Sequence, residues 1–255
     1  NTGQGLLIQI SNANNITQSI ITSASSQALR IETSSRQNII TNSTLNGNIG
    51  LFLRNNVSNN NFTNNTILGT TGIEINTSTN ITITNTSFQD TTYNIKTGSN
   101  ANISLIDNLR MTNYSFNSTP QLLVRFTGTN EILFFNILQA NGTNLSQDVN
   151  LTVSNQVHVN TSRSQGLNIS ANITFFNVLS PRIFTRSDEI TLERCQSNIC
   201  SKANISGSNT KFNVSRFSTY VGGGGAAINA CRLINESGTL TNNVSTTTFG
   251  AACFD

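Results

Sequence analysis

Residues 28 to 116 repeat themselves at a period that few architectures use. Written from their recurring starts, they form four lines: "ALRIETSSRQNIITNSTLNGNI" from Ala28, "GLFLRNNVSNNNFTNNTILGTT" from Gly50, "GIEINTSTNITITNTSFQDTT" from Gly72 and "YNIKTGSNANISLIDNLRMTN" from Tyr93. The starts lie 22, 22 and 21 residues apart. Apolar residues return at three places in each line. The first ladder reads Ile31, Leu53, Ile75, Ile95; the second Ile39, Phe62, Ile81, Ile103; the third Leu45, Ile67, Phe88, Leu109. Each apolar group is short, rich in β-branched residues and bounded by Asn, Gly, Ser and Thr, which is strand and turn chemistry. Three short strands per coil of about 22 residues predict a right-handed parallel β-helix. One coil cannot bury its own inward side chains, so each ladder becomes core only when coils stack.

Asn/Ser/Thr-rich low complexity is the competing explanation of such a segment, and it would leave the chain disordered. Matched Ile and Leu positions, 36% hydrophobic residues and a mean hydropathy of −0.17 argue against it.

The third line, through Gly72, Ile73, Ile75, Ser78, Asn80, Ile81, Ile83, Asn85 and Phe88, resembles the NosD-type or pectate-lyase-like β-helix repeats of archaeal and bacterial cell-surface proteins. The resemblance implies a fold and a surface location. It implies no activity, since the fold serves lyases, tailspikes, adhesins and coats alike.

Only 10% of residues are Asp, Glu, Lys or Arg, against about 25% in ordinary soluble proteins. Something other than charge must make the surface polar. The chain carries 21 Asn-x-Ser/Thr sequons, twice the number its composition gives by chance. They include Asn42, Asn56, Asn64, Asn113, Asn117, Asn141, Asn150, Asn160, Asn172, Asn213 and Asn235. A secreted or cell-surface protein with covalent N-glycans follows. Asparagine also suits β-helix turns, however. Asn15, Asn38, Asn61, Asn80 and Asn102 each precede a second-ladder position, where a left-handed bend and a stacked amide row are expected. Four of those five stand in sequons, so the two uses compete.

The net charge of +3 is spread over 14 basic residues with no run or basic stripe, which argues against nucleic acid as a partner. No stretch of 18 apolar residues is present to span a membrane as a helix. No signal-peptide pattern occurs, and the sequence is strand-like from Asn1, as in a processed mature chain.

Residues 1 to 27 align with the later coils through Ile10, Ile16 and Ile20, so the β-helix is expected over 1–118. Pro120, in "NSTPQ", marks a boundary. Longer alternating runs then follow, among them Val149, Leu151, Val153 and Val157, Val159, joined by Asn-Gly, Ser-Asp and Gly-Ser turns. They predict an antiparallel β-sandwich over 119–221. The part from Leu167 to Tyr220 resembles a module of archaeal surface proteins. Gly222 to Gly225 form a hinge by composition, and 222–255 is a third, short strand-bearing segment. Its last thirty residues resemble the opening coil of another such β-helix.

Cys195, Cys200, Cys231 and Cys253 lack zinc-site spacing and histidine partners, so disulfides are expected. Adjacency favours Cys195 with Cys200 and Cys231 with Cys253, and two other connectivities stay open. The carboxylates Glu32, Glu74, Asp90 and Asp107 do not share a stacked row as an acid–base pair would. His158 alternates with Val157 and Val159 and is expected to face solvent. Asp188, Glu189 and Glu193 form a charged loop or, alternatively, a calcium site. No cofactor, metal or enzymatic activity is expected.

The sequence therefore points to a structural protein that polymerises with copies of itself, head to tail, into a filament or sheath-like layer. The segment 226–255 would cover the first coil of the next subunit by strand complementation, pairing Leu240, Val244, Phe249 and Phe254 with Leu7, Ile8 and Ile10. A segment that folds back on its own sandwich, or that leads into a further β-helix of a longer tandem chain, is the competing reading of 226–255. For the function, a glycan-binding adhesin or tailspike-like module is the alternative, and a polysaccharide lyase or hydrolase a second.

Overall fold

In a computed structural model that describes residues 3–108, 110–178, 182–186 and 192–223, the protein is an all-β molecule whose first half is a parallel β-helix of about five turns. The first coil holds β1 (Leu6–Gln9), β2 (Asn15–Thr17) and β3 (Ile20–Thr22). The second holds β4 (Gln27–Glu32), β5 (Ile39–Thr41) and β6 (Thr44–Asn46); the third β7 (Ile49–Arg54), β8 (Asn61–Thr63) and β9 (Thr66–Leu68). The fourth holds β10 (Thr71–Ile75), β11 (Ile81–Thr84) and β12 (Ser87–Gln89), and the fifth β13 (Tyr93–Thr97) and β14 (Asn102–Ile106). Leu109, the last position of the expected third ladder, lies outside the described residues.

Corresponding strands stack in parallel, which turns the sequence ladders into rows of core. In the first sheet two inward rows run side by side: Leu6, Leu29, Leu51, Ile73, Ile95, Tyr114 and Ile8, Ile31, Leu53, Ile75, Thr97, Phe116. The second sheet carries Ile16, Ile40, Phe62, Ile83, Leu105, Val124, and the third Ile21, Leu45, Ile67, Phe88. Nearly all of these side chains are buried. Burying each aliphatic one contributes about 1.5–3 kcal/mol before ordering costs.

Several sequence positions are corrected by this register. Ile8, not Ile10, stands beside Ile31; Ile10 is 74% exposed at a corner with φ 49°. Ile40 and Ile21 enter the core, while their doublet partners Ile39 and Ile20 face out, 42% and 78% exposed. Ile95 stacks on Ile73, and Thr97 takes the place beside Ile75. Phe62 stacks on Ile83, and Ile81 follows Asn60 in a neighbouring row.

The corners explain the asparagine content. Gln18, Asn42, Asn64, Asn85 and Asp107 occupy one stacked position, and each has a φ between 44° and 55°. In each, the backbone N–H donates to a carbonyl of the next coil: Thr41, Thr63, Thr84, Ile106 and Arg125 in turn. Asn and Asp tolerate this left-handed conformation better than most residues. A second corner is lined inside by amides. Asn14 Nδ2 donates to Asn38 Oδ1, and Asn38 Nδ2 to Asn60 Oδ1 at 2.9 Å. This buried row replaces the expected one: of Asn15, Asn38, Asn61, Asn80 and Asn102, only Asn38 belongs to it, and Asn15, Asn61 and Asn80 are exposed.

The parallel stacking continues past 118. β15 (Thr112–Thr119) pairs with β13, and β16 (Gln121–Phe126), beyond Pro120, pairs with β14. Chain direction then reverses. β17 (Asn130–Phe134) pairs antiparallel with β16, and β18 (Leu138–Asn144) with β15. A short helix α1 (Leu145–Asp148), capped by the Asn144 side chain, leads into β19 (Val149–Asn150), β20 (Gln156–Val159) and β21 (Ala171–Phe175). These are followed by β22 (Arg182–Arg186), β23 (Leu192–Arg194), β24 (Cys200–Ser206), β25 (Asn209–Val214) and β26 (Thr219–Gly223). The second sheet thereby extends to ten strands, parallel through β16 and antiparallel through β17, β21, β25 and β24. A five-stranded sheet, β19-β20-β26-β22-β23, completes the antiparallel part. Phe212 of β25 meets Tyr220 of β26 edge-on at 5.9 Å, and Phe175 and Phe217 extend the contact.

Candidate functional site

Outward side chains of the first sheet differ in kind from the rest of the helix. One outward row reads Leu7, Arg30, Phe52, Glu74, Lys96, and continues through Ser115 to Asn141; beside it stand Gln9, Glu32 and Arg54. Residues 3–108 contain eight charged residues, and five of them, Arg30, Glu32, Arg54, Glu74 and Lys96, lie on this one face. The two outward aromatic rings lie there as well. Arg54 sits 5.5 Å from the centre of Phe52, and Lys96 Nζ 4.0 Å from the centre of Tyr93.

The acids on this face are engaged. Glu32 is nearly buried and its Oε2 accepts from Arg30 and, at 2.7 Å, from Arg54 Nε. Glu74 Oε1 accepts from Asn76 Nδ2 at 3.1 Å, and Lys96 is its neighbour in the next coil. The two carboxylates stand in adjacent rows rather than one, as the spacing implied.

Further along, the face deepens into an open groove of about 710 Å³, lined by Tyr93, Asn113, Tyr114, Ser115, Asn141 and Arg163 among others. Its floor is a closed network. Asp148 is buried; its Oδ2 accepts from Tyr114 Oη at 2.8 Å and its Oδ1 from Arg163 Nε at 2.9 Å. Burial pushes the Tyr114 hydroxyl well above the ordinary tyrosine value, and the Asp148 carboxylate adds to this. The network ties β15 to α1 and to the loop after β20, and leaves neither oxygen of Asp148 without a donor.

Sequon asparagines sort cleanly by burial. Six described asparagines are buried, Asn38, Asn60, Asn65, Asn94, Asn108 and Asn130, and none of them begins a sequon. All nineteen described sequon asparagines are partly or fully exposed, including the candidates Asn42, Asn56, Asn64, Asn113, Asn117, Asn141, Asn150, Asn160, Asn172 and Asn213. Asn235 lies outside the described residues.

Other expected positions fall as follows. Cys195 and Cys200 form a disulfide, while Cys231 and Cys253 lie outside the described residues, as do Leu240, Val244, Phe249 and Phe254. Leu7 is 43% exposed on the outer face and Ile8 is buried in the core row. Asp90 and Asp107 occupy left-handed turns, as expected of turn residues, and Asp107 accepts from Thr127 N and Oγ1. His158 is half-buried rather than open to solvent, with Nδ1 2.8 Å from Thr219 Oγ1; burial lowers its pKa. Glu193 is exposed on β23, and Asp188 and Glu189 lie outside the described residues. Among the described residues no cluster of three metal-ligating side chains occurs, and no helix is long and apolar enough to cross a membrane.

The row of Arg30, Phe52, Glu74 and Lys96 escaped the sequence reading although its members are spaced 22 residues apart. The signal was present in the residues that alternate with the apolar ladder. Comparison of the chain with protein-family models, with curated proteins and with solved structures found no match.

Proposed function

We propose that this chain is a structural extracellular glycoprotein of a cell surface, which assembles head to tail into a filament or sheath-like layer. The sorting of its asparagines carries the glycoprotein part: amides needed inside the fold stand outside sequons, and every described sequon asparagine is partly or fully exposed. Strand alternation favours the same separation, since the residue two places after an inward asparagine is itself inward and apolar, as at Ile40, Phe62, Ile67 and Ile132. The low charge fits a surface made polar by sugar.

Two features support assembly. Within the described residues, β1, β2 and β3 each have a strand neighbour on one side only, as acceptors of a donated coil would. The sequence of 226–255, behind a hinge by composition, resembles the opening coil of another β-helix. Donated to β1–β3 of the next subunit, it would extend all three sheets. The protein acts as a scaffold rather than an enzyme: Glu32, Glu74 and Asp148 are each committed to neighbouring donors.

Secretion from a eukaryotic host that attaches N-glycans, followed by glycopeptide mass spectrometry and electron microscopy, tests both parts. Glycans on several described sequons together with fibres are expected; unmodified sequons defeat the glycoprotein part. Fibres that persist after removal of 226–255, or a full chain that is monomeric at all concentrations, defeat the strand-donation part.

The groove beside Tyr93 favours a second reading, a glycan-binding module, because it combines an exposed ring with Asn, Ser and Arg side chains. Binding on a glycan array that Tyr93→Ala abolishes would establish it.

A further inference from the structure

Inside the corners, each coil gives backbone N–H groups to polar side chains of the next. Ser11 N donates to Ser35 Oγ at 3.2 Å, Asn14 N to Asn38 Oδ1 and Ser19 N to Ser43 Oγ at 3.1 Å each. One coil on, Asn38 N donates to Asn60 Oδ1 and Ser43 N to Asn65 Oδ1. Each donation runs from the earlier coil to the later one. Asn14 and Ser19 therefore act as donors toward the second coil, and among the described residues none donates to Asn14 Oδ1 or Ser19 Oγ. Burial follows the same line. Ser35, Asn38, Ile40, Ser43 and Leu45 are at most 2% exposed, whereas Ser11, Asn14, Ile16 and Ser19 at the same places of the first coil are partly exposed.

These places keep one spacing. Counted from Asn14, a hydroxyl stands three residues before (Ser11), apolar side chains two and seven after (Ile16, Ile21), and a hydroxyl five after (Ser19). Around Asn38 the same places hold Ser35, Ile40, Leu45 and Ser43. Of the four asparagines in 226–255, Asn242 alone has such neighbours: Thr239, Val244, Phe249 and Thr247. The following residue continues the match, since Asn243 begins a sequon as Asn15 does.

We infer that Asn242 sets the register of the donated coil, by giving its backbone N–H and its Nδ2 to Asn14 Oδ1 of the next subunit. In that register Thr247 N donates to Ser19 Oγ and Thr239 N to Ser11 Oγ, while Val244 covers Ile16 and Phe249 covers Ile21. Leu240, expected among the apolar contacts, stands over the exposed Asn12 instead. Thr241 and Thr246 take the corner places of Ala13 and Gln18, where φ is positive; Thr33 and Thr77 already hold φ of 55° and 48° in this chain. A slip of one residue would set Asn243 over Asn14 and turn Val244 outward, so the amide row and the apolar rows select the same alignment. This register rests on the proposed strand donation, which by itself leaves the alignment open.

The critical concentration for fibre formation by the full chain, read by sedimentation and electron microscopy, tests it. Asn242→Ala removes the Nδ2 donor and Asn14→Ala the acceptor, and each is expected to raise that concentration about tenfold or more. Thr248→Ala is the control, because Thr248 stands over the outward Ile20 and should leave the concentration unchanged. None of the three changes alters a sequon. Circular dichroism confirms that each variant is folded. A cysteine pair reads the alignment directly. Asn15→Cys with Asn243→Cys, stacked about 4.8 Å apart, lies within disulfide reach and should give a ladder of covalent multimers on mild oxidation, whereas Asn15→Cys with Thr248→Cys should give none. Fibres indifferent to Asn242→Ala, or weakened as much by Thr248→Ala, would overturn the inference, as would multimers from the control pair or a crosslink that closes within one chain. Fibres that persist without 226–255 defeat strand donation itself; fibres that need 226–255 but ignore Asn242 defeat this register alone.

Discussion

Asn38 sends both its backbone N–H and its side-chain Nδ2 to a single atom, Oδ1 of Asn60, at 2.9 Å each. Both residues are buried, so the pair joins two coils where water cannot substitute. Asn60→Ala leaves two donors of Asn38 unmet, and each buried unmet group costs about 1–3 kcal/mol. Chemical denaturation should show a loss of that order or more. Asn61→Ala, one residue away and exposed, should stay within about 0.5 kcal/mol of wild type.

The coil starts Gly50 and Gly72 leave no room for a side chain. A Cβ on Gly72 would stand 2.6 Å from the Asn94 carbonyl oxygen and 2.7 Å from Phe88 Cδ1. Gly72→Ala should destabilise by about 1–3 kcal/mol through forced displacement of the neighbouring backbone. Gly207→Ala also adds a side chain, but into open space, and there only the positive φ resists it. A midpoint shift larger at Gly207 than at Gly72 would contradict this account.

Two buried tyrosines make the fold sensitive to base. Burial pushes Tyr220 up to about 12 and Tyr114 higher still. Below pH 10 both phenols are neutral whether the chain is folded or not, so folding is not opposed. Above pH 10 the unfolded chain loses these protons and the folded one keeps them, so stability falls as pH rises toward 12. The tyrosinate absorbance of Tyr114 and Tyr220 should appear only with unfolding. Tyr220→Phe should flatten the slope between pH 10 and 12.

On the acid side the single histidine sets a smaller slope. The pKa of His158 is lowered in the fold, so below about 6.5 the unfolded state takes up a proton that the folded state resists. Stability is then lost as pH falls through that range. His158→Gln, which keeps a polar group near Thr219, should remove this part of the pH dependence in denaturation series between pH 7 and 5.

Stacked sequons should compete for sugar. Asn42, Asn64 and Asn85 hold one corner position in consecutive coils, about 4.8 Å apart, and Asn85 Nδ2 already donates to Asn64 Oδ1. A sugar with its substituents is wider than that gap. Intact-mass and glycopeptide data should show Asn64 modified mainly in chains where Asn42 and Asn85 are bare, and Asn64→Gln should raise occupancy at both. Full occupancy at all three would refute this.

The β-helix itself was legible because burial imposes a row at every coil. Leu45, Ile67 and Phe88, and Ile31, Leu53 and Ile75, stack as the lines implied. Register was not fully legible, for two reasons. In the doublets Ile20-Ile21 and Ile39-Ile40 either residue satisfies an apolar pattern, yet a one-residue choice exchanges inside for outside. A two-residue offset, as between Ile95 and Ile75, keeps the face unchanged and leaves no trace in alternation. The amide row inherited the first error, which moved it from Asn61 to Asn60. The outer face was hidden for a different reason: its charges are paired across coils, and pairing such as Glu32 with Arg54 is set by stacking, not by sequence neighbours.

The reversal of chain direction between β16 and β17 gives the molecule an arrow. Up to β16 every strand offers a parallel template to the next coil, and after the hairpin the second sheet offers only antiparallel ones. A polymer of the proposed kind, growing by continuing the coils, would do so from one side of each subunit. All its members would point the same way, so its two tips would be chemically different and would elongate at different rates.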